Sequence, residues 1–394
     1  MTTVVTSTPI EALDWWIRGR FAELNTELED RYFVQANRSS VSETGTEQKA
    51  ALVEEGRQLI AAVLAQPLPD DADVAFAVLG DVGYYLAACR RHEITNPARE
   101  RTSPLTEASV LALRLGTALG TAPRFMTSHM ETHNRAIDGM YRTFTTYDAE
   151  RVFLDGNTRS AFAYMRAADA LQRALPLGVS HPVTADLLRD ATRALTDALT
   201  LNIELAEHLD VDRFFFCVRP YYRPHRVGSE EFRGANAGDF AAFNEVDLLL
   251  GLCQMGDLTY SQLIAEKLPF LTPDDQTRLR RTVGQRSLLD LFVDHTHDAN
   301  HTWFQHNATA FLQVCDVHGA VAAQHHDVLV EHFISRPADS IPPEHLEGIT
   351  ASGPPLDVLL RSLERLRDQR LGVPRDDIAT RHRDLTMLRN LIVQ

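Results

Sequence analysis

Two stretches of this 394-residue chain gather side chains that can do chemistry. The first is Phe214-Phe215-Phe216-Cys217-Val218-Arg219-Pro220, three aromatics running into an arginine. Rings followed by a guanidinium suit a flat ligand that carries a carboxylate, because arginine grips a carboxylate through two parallel hydrogen bonds. The plain alternative is core packing with the arginine turned to solvent. The second stretch is Phe232-Arg233-Gly234-Ala235-Asn236-Ala237-Gly238-Asp239-Phe240. Its small residues let backbone approach a flat ligand closely and offer N–H groups to anions.

The 16 histidines are the other source of chemistry. His295, His297 and His301 suggest a metal at first sight, but HExxH is absent. His295-Thr-His297-Asp298 is followed by Ala-Asn-His301, which does not meet the HxHxDH hydrolase pattern. His297 and His301 are four apart and can share a helix face, yet nothing in the sequence completes a three-ligand site. They read as surface or helix-end histidines. GxSxG, the P-loop and a helix-opening GxGxxG are all missing, so hydrolase and nucleotide readings lack their usual signals. Cys89, Cys217, Cys253 and Cys315 form no CxxC pair and are expected to be reduced thiols.

A formal net charge of -15 argues against a nucleic-acid partner, which needs a basic face. Hydrophobic content of 44% and charged content of 24% are those of a globular protein. Met1–Asp14 has neither a basic start nor an apolar run, so a secretory signal is not expected. No stretch is read as a membrane span of ~20 apolar residues. A cytoplasmic protein is expected.

The elements that must position these residues read as helices. Apolar residues recur at helical spacing in Gln48–Leu64, Glu107–Leu119, Asn157–Leu175, Pro182–His208, Asn244–Cys253 and Thr259–Lys267. Thr272-Pro273-Asp274-Asp275 joins a hydroxyl cap, a first-turn proline and acids, and predicts a helix start. Val/Ile/Thr alternation is almost absent, so the chain is expected to be all-α with long loops. Arg219–Ala241 contains Pro220, Pro224, Gly228, Gly234 and Gly238 and is expected to be irregular and functional. A second, proline-rich loop, Arg336–Pro355, reads as a surface excursion or a lid. The expected organisation is a helical part, 1–120, packed on a larger ligand-binding part, 121–394, together one structural unit.

The two chemical stretches together resemble the indoleamine/tryptophan 2,3-dioxygenase superfamily. Phe214-Phe215-x-x-x-Arg219 is similar to its distal FFxxxR element. Phe232-x-Gly234-x-x-Ala237-Gly238-x-x-x-x-Phe243-x-x-x-Asp247-x-Leu249-Leu250-Gly251 is similar to the loop over the haem and the helix after it. About forty residues carry the match. Within the superfamily, Val218-Arg219-Pro220-Tyr221, the Arg233–Phe240 loop and Leu24-Asn25-Thr26-Glu27-Leu28-Glu29 resemble the monodechloroaminopyrrolnitrin synthase-like branch more than the catabolic dioxygenases. Asn236 and Asp239 depart from the catabolic pattern.

The resemblance implies an all-α, indoleamine 2,3-dioxygenase-like fold that binds haem b. It implies that Phe214 and Phe215 flank an aromatic amino acid and Arg219 holds its carboxylate. Gly234, Ala235, Asn236, Ala237 and Gly238 would face the cofactor, while Thr127 and Met130, with His129 or His133 nearby, would line the substrate side. Ser160 or Phe162 would add a further wall. The family's proximal iron ligand opens a helix that ends at a proline, and His326–Pro337 has that form, with His326, Val330, Phe333 and Pro337 on one face. His325 and His318 are rivals, and His382 lies too far along. The implied partners are an aromatic amino acid, O2 or peroxide, an electron donor and a second copy of the chain. The implied activity is oxidation or rearrangement of tryptophan or a chlorotryptophan in secondary metabolism. Alternatives are 2,3-dioxygenation, hydroxylation of another aromatic amino acid, and a haem-binding protein without turnover.

Overall fold

Apolar residues three and four apart dictate helices, and helices are what this sequence forms. The computed structural model describes residues 7–339, 341 and 355–392, and it is 70% helical, as expected for an all-α protein. In chain order the helices are α1 (Pro9–Trp16), α2 (Ala22–Phe33), α3 (Thr46–Leu64), α4 (Ala72–Arg91), α5 (Thr106–Leu119), α6 (Thr127–Met130), α7 (Asp148–Leu177), α8 (Pro182–His208) and α9 (Val211–Arg213). After the hairpin β1 (His225–Val227) and β2 (Glu230–Phe232) come α10 (Ala241–Leu250), α11 (Leu258–Lys267), α12 (Pro273–Val283) and α13 (Leu288–Asp294). The last are α14 (Thr302–Gln324), α15 (Arg336–Asp339), α16 (Leu356–Leu371) and α17 (His382–Leu391). Three π-helical runs interrupt them: Ile17–Phe21, Phe214–Val218 and His325–Ser335.

The chain divides into two compact units, and neither is the continuous 1–120 segment expected. Unit 1 comprises Met1–Leu154, Leu209–Asp239 and Arg336–Gly353; unit 2 comprises Asp155–His208, Phe240–Ser335 and Pro354–Gln394. Both draw on distant parts of the chain, which local periodicity does not report. Most of the proline-rich Arg336–Pro355 loop lies outside the described residues.

Unit 1 is organised by α4. Fifteen of its 20 residues are buried. It is long and apolar enough to cross a membrane by length and composition, but its apolar window is 78% buried inside the protein. Two of its glycines admit a neighbouring segment. A Cβ at Gly83 would fall 2.1 Å from the Phe125 backbone nitrogen, and one at Gly80 would fall 2.6 Å from the His129 ring. At its C-terminal end Arg91 donates from Nε and Nη2 to the two Glu29 carboxylate oxygens, both at 2.7 Å. The same guanidinium donates to the Phe216 carbonyl at 3.0 Å. One i,i+4 pair of α2, Asn25 and Glu29, thus buries two polar side chains on a single face. Asn25 donates to the Phe144 carbonyl and meets His92.

Unit 2 is built on α7, α8 and α14. Leu188, Ala191, Leu195 and Ala198 of α8 share a cluster with Ala167, Leu171 and Ala174 of α7 and with Ala308, Phe311 and Cys315 of α14. The alanines let helix axes approach, and each buried leucine contributes about 1.5–3 kcal/mol. α12 starts as expected, with the Thr272 hydroxyl accepting from the Asp275 N–H at 3.2 Å. Gly251 ends α10 at φ 82°, where a Cβ would sit 2.3 Å from Ser287 Oγ.

Candidate active site

In unit 1 the aromatic run is not an ordinary helix. Phe214–Val218 is π-helical and Arg219–Tyr222 is a 3-10 turn. π-turns are rare and often mark functional sites, because they re-aim side chains. Phe214, Phe215 and Arg219 are buried, and the Arg219 guanidinium lies over the Phe215 ring at 5.6 Å. Burial lowers the Arg219 pKa to about 10. A carboxylate docked beside it would reverse that shift. The exposed-arginine alternative is therefore excluded.

A ladder of rings extends from this segment. Phe214 lies 4.5 Å from Phe153 between centroids, Phe153 lies 6.1 Å from Tyr222, and Tyr222 lies 6.3 Å from Phe125. Phe125 leads into α6, where Thr127 and Met130 are buried. Phe153 was not foreseen: α7 begins at Asp148, nine residues before the periodicity suggests. Ser160 and Phe162, expected as a further wall, belong to unit 2. Ser160 is hydrogen-bonded to Asn202 in unit 2, and Phe162 is exposed.

The small-residue loop is held by its own side chains. Arg233 and Asp239 form a two-pronged pair at 2.9 Å in each arm. Asp239 Oδ2 also accepts from the Asn236 N–H at 3.2 Å, Asn236 Oδ1 accepts from the Gly238 N–H at 3.0 Å, and the Asp239 N–H donates to the Asn236 carbonyl. Three N–H groups of the loop are thus already engaged, which narrows the expected row of open anion donors. Asn236 and Asp239, the two departures from the catabolic pattern, are the residues that fix the loop's shape. Thr127 Oγ1 donates to the Asn236 carbonyl at 2.7 Å, and Arg124 donates to the Arg233 carbonyl. Gly234 and Ala235 are buried, Gly238 is half-buried, and Asn236 and Ala237 face outward.

His129 is structural. It stacks on Phe76 at 3.8 Å, accepts from the Met126 N–H and contacts the Phe76 carbonyl, while burial lowers its pKa to about 3. His133 is exposed and meets the edge of Phe76.

Unit 2 holds the candidate iron ligands. His318 is fully buried with both ring nitrogens engaged: Nε2 faces Asp247 Oδ1 at 2.8 Å and Nδ1 faces the Tyr164 hydroxyl at 3.3 Å. It cannot ligate iron without breaking that network. Asp247 also accepts from Arg370 Nε and Nη2, each at 2.8 Å, and from the Tyr260 hydroxyl at 3.0 Å. Burial alone would raise its pKa, but Arg370 and His318 hold it well below the usual carboxylate range.

His325 and His326 lie in the third π-run, so the helix face expected from His326, Val330, Phe333 and Pro337 does not form with ordinary α spacing. His326 Nδ1 lies 2.8 Å from Asp327 Oδ1 and 3.1 Å from Arg367 Nη1, which also donates to that carboxylate at 2.8 Å. Its Nε2 makes no hydrogen bond among the described residues. A carboxylate on one ring nitrogen with the other available is how metal-bound imidazoles are held, so the donor set fits a haem iron. His325 makes no hydrogen bond among the described residues. It is exposed.

Half-buried His295 and exposed His297 and His301 gather around Asp298 at 3.1, 3.4 and 3.2 Å, and the ligand atoms of His295, His297 and Asp298 lie within 4.8 Å of one another.

The all-α fold is that of the haem-dependent tryptophan dioxygenase class, to which the family match assigns the chain. A family model described as monodechloroaminopyrrolnitrin synthase PrnB matches residues 7–392, and the chain belongs to that family. It is accordingly a haem-dependent enzyme that modifies tryptophan or a derivative.

Proposed function

We propose that this enzyme oxidises or rearranges L-tryptophan or a chlorotryptophan in secondary metabolism, as the family's description indicates for pyrrolnitrin formation. Haem b is the cofactor, O2 or peroxide the oxidant, and an external electron donor and a homodimeric state complete the reading. With four buried free thiols among the described residues, a reducing cytoplasm suits it.

The observation that carries this reading is the buried Arg219 guanidinium at the end of the Phe214-Phe215 wall. Arg219 binds the substrate carboxylate, and Phe214 and Phe215 flank the ring system and exclude water from it. Thr127 and Met130 line the substrate side, with Thr127 also pinning the Gly234–Gly238 loop, which lies against the cofactor. His326 supplies Nε2 to the iron, and Asp327 holds the ring through Nδ1. When bound, haem supplies the oxidation chemistry; the protein supplies position and a dry site.

Difference spectra of the haem-loaded protein with L-tryptophan and 7-chlorotryptophan test this reading. Arg219→Ala is expected to weaken both by roughly 10- to 150-fold, the equivalent of one lost charge-assisted hydrogen bond. Unchanged affinity removes Arg219 from the site. His326→Ala is expected to lose haem or shift the Soret band. If His325→Ala does so instead, the ligand assignment moves one residue upstream.

A further inference from the structure

His295, His297 and His301 take no part in the site described above. They gather in unit 2, where α13 gives way to α14. Spacing alone does not join them, because residues two apart on a helix point to different sides. The backbone does. His295 caps the C-terminus of α13, Thr296–Asp298 is a single 3-10 turn, and His301 caps the N-terminus of α14. The Asp298 N–H donates to the His295 carbonyl at 2.9 Å, and the His301 N–H donates to the Asp298 carbonyl at 2.8 Å. Two consecutive tight turns thus place the Asp298 carboxylate among three imidazoles.

The distances suit a cation. His295 Nδ1 lies 3.1 Å from Asp298 Oδ2, and His297 Nε2 lies 3.4 Å from the same oxygen. Ligand atoms of the three residues all lie within 4.8 Å of one another. Zinc holds nitrogen and oxygen ligands at about 2.0–2.2 Å in a tetrahedron, so its ligand atoms stand roughly 3.3–3.6 Å apart. Both separations from Oδ2 come within a few tenths of an ångström of that edge. Rotation of the exposed His297 ring adjusts the remaining side.

The proton positions point the same way. His297 Nδ1 faces the Asp294 carbonyl at 3.1 Å. A carbonyl only accepts, so Nδ1 carries the proton, and Nε2 of the neutral ring turns a lone pair towards the Asp298 carboxylate. Two acceptors face each other there, and a second proton or a metal ion must fill the space between them. A ring nitrogen tied to a backbone carbonyl, with the other nitrogen free to ligate, is also how metal-bound histidines are oriented. His301 Nδ1 lies 3.2 Å from Asp298 Oδ1, so it holds the other carboxylate oxygen and leaves Oδ2 to the ion. The His295 ring is set between His297, at 5.7 Å, and the edge-on Trp303, at 5.8 Å.

We propose that His295 Nδ1, His297 Nε2 and Asp298 Oδ2 form a surface site for a divalent ion of the zinc class, which ties the end of α13 to the start of α14. Imidazole nitrogens favour zinc, nickel or copper over magnesium and calcium, which take oxygen ligands. Water completes the coordination. The ion replaces the hydrogen shared by His295 Nδ1 and Asp298 Oδ2, so His295 keeps its proton on Nε2. No group assigned to substrate or haem takes part, so this site stands or falls independently of the proposed function.

Calorimetric titration of the haem-loaded full chain with zinc chloride tests the site, with magnesium chloride as the control. The wild type is expected to bind one zinc ion in preference to magnesium and to unfold at a higher temperature when zinc is present. His297→Ala and Asp298→Asn are each expected to weaken zinc binding at least about ten-fold and to abolish its effect on unfolding, with the Soret band unchanged. His306→Ala removes an exposed histidine outside the cluster and is expected to bind zinc as the wild type does. Zinc binding no tighter than magnesium binding in the wild type overturns the proposal, because a proton then fills the gap. It is also overturned if neither His297→Ala nor Asp298→Asn weakens binding. Equal weakening by His297→Ala and His306→Ala overturns it too, since zinc is then spread over surface histidines.

Discussion

Asp247 in unit 2 and Glu131 in unit 1 are both buried carboxyl groups, and they are treated in opposite ways. Asp247 receives two arginine N–H groups, a tyrosine hydroxyl and a histidine ring nitrogen, and its pKa is driven down. Glu131 receives nothing, and burial drives its pKa up. The first is what a fold requires of a charge in its core; the second is a buried acid the described residues leave uncompensated. A saturated buried acid therefore marks structure, and an orphaned one marks a place where the molecule is incomplete.

The largest expected effect lies on the saturated side. Asp247→Ala strands Arg370 and His318 in the core and is expected to destabilise by about 3–5 kcal/mol, as broken buried ion pairs do. Chemical denaturation checks it, and a loss under about 1 kcal/mol would place the network in solvent rather than in the core.

pH dependence separates the two acids next. Asp247 has a lowered folded pKa, so its stabilisation is present above the unfolded value of about 3.9 and is lost as pH falls through the folded pKa. Glu131 has a raised folded pKa and works in the other direction. Its neutral form suits the fold, so stability is lost as pH climbs from about 4.3 towards the raised value. Wild type is thus expected to lose stability relative to Glu131→Gln as pH rises above about 4.3. Parallel stability curves would show that Glu131 has a partner in solution.

A smaller effect of opposite sign to Asp247→Ala is expected for Glu131→Leu. Replacing an orphaned carboxyl with an apolar side chain of similar size should leave stability unchanged or raise it by about 1 kcal/mol. Loss of stability, measured by thermal unfolding, would recast Glu131 as a structural residue. The smallest effect is Tyr260→Phe, which removes one of the donors to Asp247 and is expected to cost about 1 kcal/mol. Thermal unfolding of that variant measures how much of the network rests on the Arg370 pair.

Much of this was legible in the sequence where the physics is local. The α8 boundaries, Pro182 and His208, follow from apolar spacing alone. The α12 start follows from Thr272-Pro273. Phe214-Phe215-x-x-x-Arg219 and Gly234–Gly238 stood out as candidate site elements because residue type and spacing repeat a known family's pattern. Phe153 was missed because Asp148–Gly156 is too polar to extend the α7 periodicity. The hairpin at His225–Phe232 was missed because three residues per strand are too few to show alternation. Gly80 and Gly83 of α4 did carry a signal, since two glycines in an apolar helix mark a close approach.

By itself, then, the sequence determined the helical class, the limits of a few helices, the aromatic–arginine element as a motif, the loop that follows it and the family. Each is encoded in neighbours along the chain, where periodicity, caps and spacing act. Tertiary structure decided the rest: which parts of the chain make up each unit, that His318 is consumed by Asp247 and Tyr164, and that Asn236 and Asp239 brace their own loop. It also decided that Glu131, alone among the buried acids described in unit 1, has no partner. Those outcomes depend on which side chains meet across 71 residues, as His318 and Asp247 do, or fail to meet at all. Partnership between distant groups has no local signature, because it is settled only when burial removes water as the alternative partner.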